Sequence, residues 1–304
     1  MTAKIFITGG SGLLALNWAL AIRESHAVTL GLHEQIVSLA GIQTRIVDLE
    51  SVEDLVQTFD EARISIVVHA AGFTSVEQCE AKPGLARHIN VNLAGNVAKA
   101  CAKLGLPLIH ISTDHLFSGE MPLLAETSHI APVNVYGRTK AEAELRVLGV
   151  HPEALVLRTN FYGWRTSYRH SFSDMIVDKL RDGQKISLFQ DVFYTPILVE
   201  VVARAAHELL DLKATGIVNI VGDERTSKCG FGIRVAEKFG LDASLIKPVL
   251  LADQVALVQR PRDMSLSNKK ACKLLGRQLG NISEHLTRLY QQEQRGLARE
   301  IQSL

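Results

Sequence analysis

The sequence predicts an α/β fold in which helices cover both faces of a parallel β-sheet. Two observations in the first half of the chain indicate it. Short apolar runs alternate with segments of helical spacing, which is typical of a wound parallel sheet. The runs are continuously apolar, as expected of strands that are buried on both faces. We therefore expect a doubly wound parallel sheet, followed by a smaller mixed α/β lobe.

The individual elements follow from these patterns. Strands are predicted over 5–8, 28–30, 45–47, 64–69, 106–111 and 154–158. Helices are predicted over 13–24, 52–62, about 86–104 and 136–148. Beyond residue 160 the alternation decays, and we expect helices over 172–181 and 198–212, a strand over 217–221, and three surface helices over 229–239, 269–275 and 282–301.

Composition and charge exclude several classes of protein. Hydrophobic residues make up 47% of the 304 residues and charged residues 21%, which is ordinary globular composition. Lys and Arg number 33 against 32 Asp and Glu, so no net field favours a nucleic-acid partner. The four cysteines lack the paired spacing of zinc sites, and we expect reduced thiols, no metal and a cytoplasmic protein. No apolar run is long enough for a membrane helix.

A glycine-rich turn joins the first strand to the first helix. It contains Gly9 and Gly12 in the spacing G-x-x-G-x-x-A, which allows phosphate oxygens to approach the N–H groups at a helix N-terminus. The alternative is a plain tight turn. The strand before it and the helix after it favour a Rossmann-type dinucleotide-binding domain.

The end of the second strand bears on the choice of dinucleotide. An acidic residue there would bind a ribose 2′-hydroxyl, but this chain reads Gly31-Leu32-His33-Glu34. We therefore expect NADP(H) in preference to NAD(H), with His33 or Arg23 as the partner of the 2′-phosphate. Glu34 could still reach a hydroxyl, so NAD(H) stays open.

Tyr136 and Lys140 are four residues apart on a predicted helix, so their side chains share one face. Reduction of a carbonyl needs a proton donor, and a nearby ammonium favours ionisation of a phenol. Thr113 follows a predicted strand, at the edge where ligands bind in such sheets, and is placed to bind the substrate oxygen. The alternative for the pair is a solvated surface helix.

These residues carry a resemblance to the extended short-chain dehydrogenase/reductases, in particular to the dTDP-4-dehydrorhamnose reductase group. The matching segments are Thr8 to Ala15, His69-Ala70-Ala71-Gly72, Asn92, Ser112-Thr113-Asp114-His115-Leu116-Phe117, residues 132–140 and Arg158-Thr159-Asn160. The resemblance implies that Thr113, Tyr136 and Lys140 form the catalytic set and that Asn92 supports the proton relay. It further implies a cofactor site that includes Gly9, Ser11, Gly12, Leu13, His33, Asp48, Leu49, Ala70, Ala71, Gly72, Tyr136 and Lys140.

The substrate side is expected to involve His115, Asn160, Phe161 and Arg260. Members of the resembling group use an arginine such as Arg260 on the substrate diphosphate, and its alternative is a solvated loop arginine. His115 and Phe161 replace the tyrosine and tryptophan that are usual in that group. We therefore expect a reshaped sugar pocket. His69 and His110 are interpreted as core histidines, because no second metal ligand stands near them in the sequence.

The sequence thus predicts an NADP(H)-preferring reductase of a 4-keto group on a nucleotide-activated deoxysugar. Residues 1–160 would bind the dinucleotide, with 197–222 returning to that domain, and 161–304 would mainly bind the substrate. The alternatives are an epimerase or dehydratase with retained NAD, a non-catalytic NADP-binding regulatory subunit, and a redox-sensing regulator. A homodimer through surface helices is also expected.

Overall fold

The computed structural model describes residues 3–168, 171–254 and 257–304. Its N-terminal half follows the predicted alternation of strands and helices. The elements in chain order are β1 (Lys4–Thr8), α1 (Leu13–Ile22), β2 (Ala27–Leu32), β3 (Gln43–Ile46), α2 (Val52–Glu61), β4 (Ile66–His69), α3 (Val76–Ala81), α4 (Pro83–Arg87), a π-helical turn (His88–Leu93), α5 (Ala94–Leu104), β5 (Leu108–Ile111), α6 (Val135–Val150) and β6 (Leu155–Arg158).

The C-terminal half consists of shorter strands and surface-facing helices. Its elements are β7 (Phe161–Tyr162), α7 (Phe172–Arg181), β8 (Ile186–Phe189), β9 (Phe193–Tyr194), β10 (Ile197–Leu198), α8 (Val199–Asp211), β11 (Gly216–Asn219), β12 (Thr226–Ser227), α9 (Lys228–Phe239), β13 (Ile246–Val249), α10 (Lys269–Leu275), α11 (Ile282–Gln294) and α12 (Leu297–Gln302). Two 3-10 turns, Ala243–Leu245 and Leu251–Asp253, flank β13.

Seven strands form one parallel sheet in the order β11-β6-β5-β4-β1-β2-β3. Apolar side chains cover both of its faces: one face packs against α1 and α8, and the other against α2, α5 and α6. This confirms the predicted doubly wound sheet. Because the strands are parallel, their carboxyl ends share one edge, where ligands bind in such folds. Segment 197–222 contributes β11 to this sheet, and the smaller pairs β8–β13, β9–β12 and β7–β10 lie outside it.

The structure differs from the prediction at two helical segments. The helix expected over 282–301 is two helices, because Gly296 adopts a left-handed φ of +83° between α11 and α12. The helix expected near 86–104 begins earlier, with Pro83 at its first turn, and contains the π-helical turn His88–Leu93. None of the described helices is both long and apolar enough to cross a membrane.

Candidate active site

The turn between β1 and α1 requires glycine at position 9. Gly9 has a φ of +66°, and a Cβ added there would lie 2.7 Å from the Ala71 Cα. The Gly12 N–H donates to the Gly9 carbonyl at 2.8 Å, and α1 begins at the next residue, Leu13. The turn therefore presses its backbone against the segment that follows β4.

A cleft of about 410 Å³ opens beside this turn, at the carboxyl ends of the strands. Its volume is in the range of small-molecule sites. The residues that line it are Gly9, Gly10, Ser11, Gly31, Leu32, His33, Val47, Asp48, Leu49, Glu50, Ala71, Leu85, His88, Ile89 and Leu93.

Six of the predicted cofactor residues are among these lining residues. They are Gly9, Ser11, His33, Asp48, Leu49 and Ala71. Gly12, Ala70 and Gly72 lie in the same two loops and Leu13 begins α1, but none of these four residues lines the cleft. Sequence reasoning missed the wall formed by 85–93 and the Glu50–His88 pair at the rim, where Oε1 and Nε2 are 2.6 Å apart. No local motif marks that wall.

The outer end of the cleft carries His33, which directly follows β2. Its side chain is 81% exposed, and Glu34 lies 3.9 Å away without lining the cleft. Arg23, the other expected phosphate partner, is misplaced. It stands just after α1 at the opposite end of the helix from the glycine turn, and its guanidinium donates to Glu300 of α12 at 2.5 and 3.0 Å. The prediction for Arg23 is therefore wrong.

Helix α6 brings Tyr136 to the edge of the sheet. Asn134 caps the helix by accepting from the Gly137 N–H at 2.9 Å, and Glu80 of α3 accepts from the Val135 N–H at 2.9 Å. A Cβ at Gly137 would lie 2.2 Å from the His115 carbonyl oxygen. Glycine after Tyr136 is thus what lets this helix meet the segment after β5.

Tyr136 and Thr113 meet at this point, and Lys140 lies one helical turn further along α6, beside the end of β5. Burial raises the pKa of Tyr136 to about 12, and a hydrogen bond with the Thr113 side chain opposes that rise. Burial lowers the pKa of Lys140 to about 8, and the neighbouring Glu144 opposes this shift. The Lys140 ammonium donates to the Ile111 carbonyl at 2.6 Å. The expectation that Lys140 brings the tyrosine pKa below its ordinary value is wrong for this arrangement, because burial dominates.

The asparagine that faces this centre is Asn90 and not Asn92. Asn92 is exposed, whereas Asn90 is buried and donates to the Phe73 carbonyl at 3.1 Å and to the Thr139 hydroxyl at 3.0 Å. The reason is the π-helical turn, which changes the face that each of its residues presents. Asn90 therefore ties the segment after β4 to α6, the helix that carries Tyr136.

The structure brings three of the four expected substrate residues to the same side of the centre. The His115 ring lies edge-on to Tyr136, with centroids 5.4 Å apart. Asn160 donates to Asp114, and Arg260 donates to Glu77 of α3. Phe161 is partly buried in β7 and packs against the main core.

Lys228, the first residue of α9, is a further residue of this region that sequence reasoning missed. Its ammonium lies 3.4 Å from the centroid of the Tyr194 ring and 4.8 Å from that of Phe172. The three residues come from separate segments, and no spacing in the sequence relates them.

A buried ion pair supports the centre from below. Arg158 of β6 donates to both carboxylate oxygens of Glu144 at 2.9 and 2.7 Å, and the Ser112 hydroxyl donates to the same carboxylate at 2.5 Å. Nearby, His69 and His110 stack with centroids 5.4 Å apart, and the Thr8 Oγ1 lies 2.8 Å from the His69 Nδ1. Burial lowers the pKa of His69 to about 3 and that of His110 well below its ordinary value, so both rings are neutral. Among the described residues, no group of His, Cys, Asp and Glu is arranged to hold a metal ion.

A comparison with known families resolves the classification. The family model described as RmlD substrate binding domain matches residues 3–295. This chain belongs to that family. The match spans both lobes, so the family assignment covers the cleft, the Tyr136 centre and the Lys228 region together.

Several relatives are similar along most of their length. The "Probable low-salt glycan biosynthesis reductase Agl14" of Haloferax volcanii is 33% identical over 261 residues, covering 84% of this chain and 87% of that protein. The methionine adenosyltransferase 2 subunit beta of Rattus norvegicus is 30% identical over 276 residues, covering 88% and 81%. A solved structure of a hypothetical dTDP-4-dehydrorhamnose reductase from Sulfolobus tokodaii is 28% identical with a TM-score of 0.79, covering 91% of this chain and 97% of that one.

Proposed function

We propose that this protein is an NADP(H)-preferring reductase that delivers a hydride to a 4-keto group of a nucleotide-activated deoxysugar in the cytoplasm. The observation that carries the proposal is the Tyr136–Thr113 hydrogen bond at the carboxyl edge of the sheet, with the buried Lys140 ammonium at the end of β5 and the cleft behind Gly9 beside them. The names of the Haloferax and Sulfolobus relatives, both reductases, support the same reaction class.

The cleft fits a dinucleotide. At Gly9 a side chain would collide with Ala71, so bare backbone faces the cleft at the start of α1, as phosphate binding requires. Gly9, Ser11 and Ala71 would hold the phosphates, and Asp48 and Leu49 would flank the adenine. His33 lines the outer end and Glu34 does not, which supports NADP(H) over NAD(H). The cofactor supplies the hydride when it is bound.

The protein's own residues supply the proton and the orientation. With its pKa near 12, Tyr136 is protonated at neutral pH and can donate its phenol proton to the carbonyl oxygen. Thr113 presents a second hydroxyl beside it, which would hold that oxygen in place. Lys140 is a buried cation whose pKa of about 8 leaves it charged near neutrality, so it stabilises negative charge that develops on the phenol.

Three other functions are alternatives, and a relative bears on the first of them. The relative from Rattus norvegicus is named as the beta subunit of methionine adenosyltransferase 2, which supports a non-catalytic binding subunit as an alternative. Tyr136, Thr113 and Lys140 are all present here, which favours catalysis, since a binding protein needs no phenol beside an ammonium. An epimerase or dehydratase with retained NAD and a redox-sensing regulator would use the same cleft, and turnover assays separate them.

The experiment is to follow NADPH consumption with dTDP-, UDP-, GDP- and CDP-linked 4-keto-6-deoxysugars. Wild type should turn over one of them, and Tyr136→Phe should lower kcat by about 10²–10⁴-fold, the usual contribution of general acid catalysis. Tyr290→Phe, which makes the same substitution on partly buried α11, is the matched control and should keep full activity. Tight NADPH binding without turnover on any sugar would contradict a reductase and favour the binding subunit.

The proposal extends to the domain division and the assembly. Residues 1–160 with 197–222 would form the dinucleotide-binding domain, and most of 161–304 the substrate lobe, which β11 in the main sheet supports. We also propose a homodimer that binds no nucleic acid. Light scattering during size-exclusion chromatography would test the dimer, and a monomeric mass at micromolar concentration would overturn it.

A further inference from the structure

Lys228 has an unusual environment for a lysine. It is partly buried at the start of α9, and its ammonium lies over the faces of Tyr194 and Phe172, whose rings are edge-on to one another at 6.5 Å. Within the described ranges, no carbonyl or carboxylate oxygen accepts a hydrogen bond from its Nζ. The ammonium is therefore held in place by ring faces, with its N–H groups unused.

The Lys228 ammonium lacks the hydrogen bonds that would compensate for its burial, and a ligand can supply them. A cation over an aromatic face gains about 0.5–2 kcal/mol. Moving an ammonium out of water costs several kcal/mol unless hydrogen bonds replace the lost water. The rings alone do not balance that cost. Burial accordingly lowers the pKa of Lys228 to about 8.

Lys228 faces the substrate side of the catalytic centre. Beside the dominant effect of burial, Asp114, next to Thr113, raises the pKa of Lys228 and Arg260 lowers it, so both charges act on this ammonium. Burial lowers the pKa of His115, whose ring lies edge-on to Tyr136, and both Lys228 and Arg260 lower it further. Both cations therefore act on the same histidine.

One stretch of backbone contacts both of the segments that carry these two cations. The Lys228 N–H donates to the Val192 carbonyl at 3.0 Å, and the Phe193 N–H donates to the Arg262 carbonyl at 2.7 Å. Residues 192–193 therefore hold the start of α9 on one side and the loop of Arg260 on the other. A ligand with two linked negative charges could engage both cations, whereas a single anion would engage only one of them.

We propose that Lys228, together with Arg260, binds the diphosphate of the nucleotide-sugar substrate, and that the Tyr194 and Phe172 rings hold its ammonium in position for this. The inference rests on the proposed function for the identity of the ligand. Arg260 supplies a planar fork and Lys228 a compact point charge, a combination suited to two phosphates. Arg260 is paired with Glu77, whereas Lys228 has no carboxylate hydrogen bond among the described residues. Lys228 is therefore the cation available to an incoming ligand without breaking an ion pair.

The test compares Lys228→Met with Lys238→Met. Lys238 lies on the same helix with its ammonium 5.8 Å from the Tyr290 ring, far from the catalytic centre, so it is a matched control. Calorimetry would measure the binding of dTDP, UDP, GDP and CDP, each beside its monophosphate, to the full chain saturated with NADPH. Steady-state kinetics with the sugar selected by the substrate screen would give KM and kcat separately.

We expect Lys228→Met to weaken binding of the preferred diphosphate by about 10–100-fold, the usual loss for a hydrogen bond to a charged group. Binding of the monophosphate should change less, KM should rise in parallel, and kcat and NADPH affinity should stay within about twofold. Lys228→Arg should recover most of the affinity, and Lys238→Met should match wild type.

Three results would overturn the inference. Diphosphate binding that is unchanged in Lys228→Met would do so, and a raised KM without weaker diphosphate binding would place the ammonium on the sugar instead. Equal losses in Lys228→Met and Lys238→Met would indicate a structural effect of α9. Failure of wild type to turn over any sugar would contradict the proposed function, while the binding comparison would still decide the role of Lys228.

Discussion

Replacing Glu144 with glutamine should destabilise the protein severely. The change keeps the shape of the side chain but removes the charge that neutralises Arg158, and the two side chains are only 2% and 1% exposed. The glutamine amide has one oxygen that can accept and an NH2 group that cannot, so the guanidinium would keep at most one of its hydrogen bonds of 2.9 and 2.7 Å while staying buried. Breaking such a pair from one side costs about 3–5 kcal/mol. That is a large part of the total of about 5–15 kcal/mol expected for a folded domain.

Equilibrium unfolding in urea would measure this loss as a shift of the midpoint at constant m-value. The matched control is Glu293→Gln, which breaks a similar bidentate pair with Arg181 at 2.7 and 2.8 Å, where the arginine is 43% exposed. That control should cost less than about 1 kcal/mol, since exposed pairs contribute little. The double variant Glu144→Leu with Arg158→Met should recover much of the loss, because no buried charge remains unpaired. If Glu144→Gln and Glu293→Gln cost the same, burial is not what gives the inner pair its importance.

Three further predictions concern the cofactor cleft and pH. Gly9→Ala should weaken NADPH binding at least tenfold in a fluorescence titration, because its Cβ would lie 2.7 Å from Ala71. The control Gly41→Ala, at a φ of +75° with open space around it, should leave the affinity for NADPH unchanged. Equal affinities in the two variants would contradict the backbone contact. The pH profile of kcat should fall above about pH 8, since Lys140 loses its charge there. We choose kcat because Lys228, which is proposed to bind the substrate and so to affect KM, has a similar pKa. A kcat that stays level to about pH 10 would refute this prediction. The free energy of unfolding should decline as pH falls below about 6.5. Burial lowers the pKa of His69 to about 3 and of His207 to about 4, so the unfolded chain takes up protons before the folded one. The loss of stability is up to about 1.4 kcal/mol per pH unit for each histidine. Urea unfolding at about pH 7 and about pH 5 would measure this loss, which His207→Gln should reduce, and equal stability at both would contradict it.

Sequence patterns predicted the sheet correctly and singled out Thr113, Tyr136 and Lys140 as candidates, because both inferences depend on local regularities. Buried parallel strands read as apolar runs, and Thr113 stands where such a run ends. Tyr136 and Lys140 are related by the helical repeat alone. These features depend only on residues that are close in the sequence, so they can be predicted without knowing which distant segments come together.

The errors arose where distant segments or irregular backbone decide the outcome. Arg23 was expected at a phosphate, but its partner is Glu300, at the other end of the chain. Lys228 was missed because its aromatic neighbours, Phe172 and Tyr194, come from different elements. The pKa of Tyr136 depends on burial by the whole fold, which spacing to Lys140 does not reveal.

The π-helical turn His88–Leu93 makes the length of this helix as important as its composition. Compared with a regular α-helix of 3.6 residues per turn, the wider turn adds about one residue, equivalent to a rotation of roughly 100°. Removing Asn92 would let the turn become regular and rotate Asn90 away from Thr139, although the deleted side chain is itself exposed. Each residue of the turn, the exposed Asn92 included, therefore contributes to the register that keeps Asn90 facing α6.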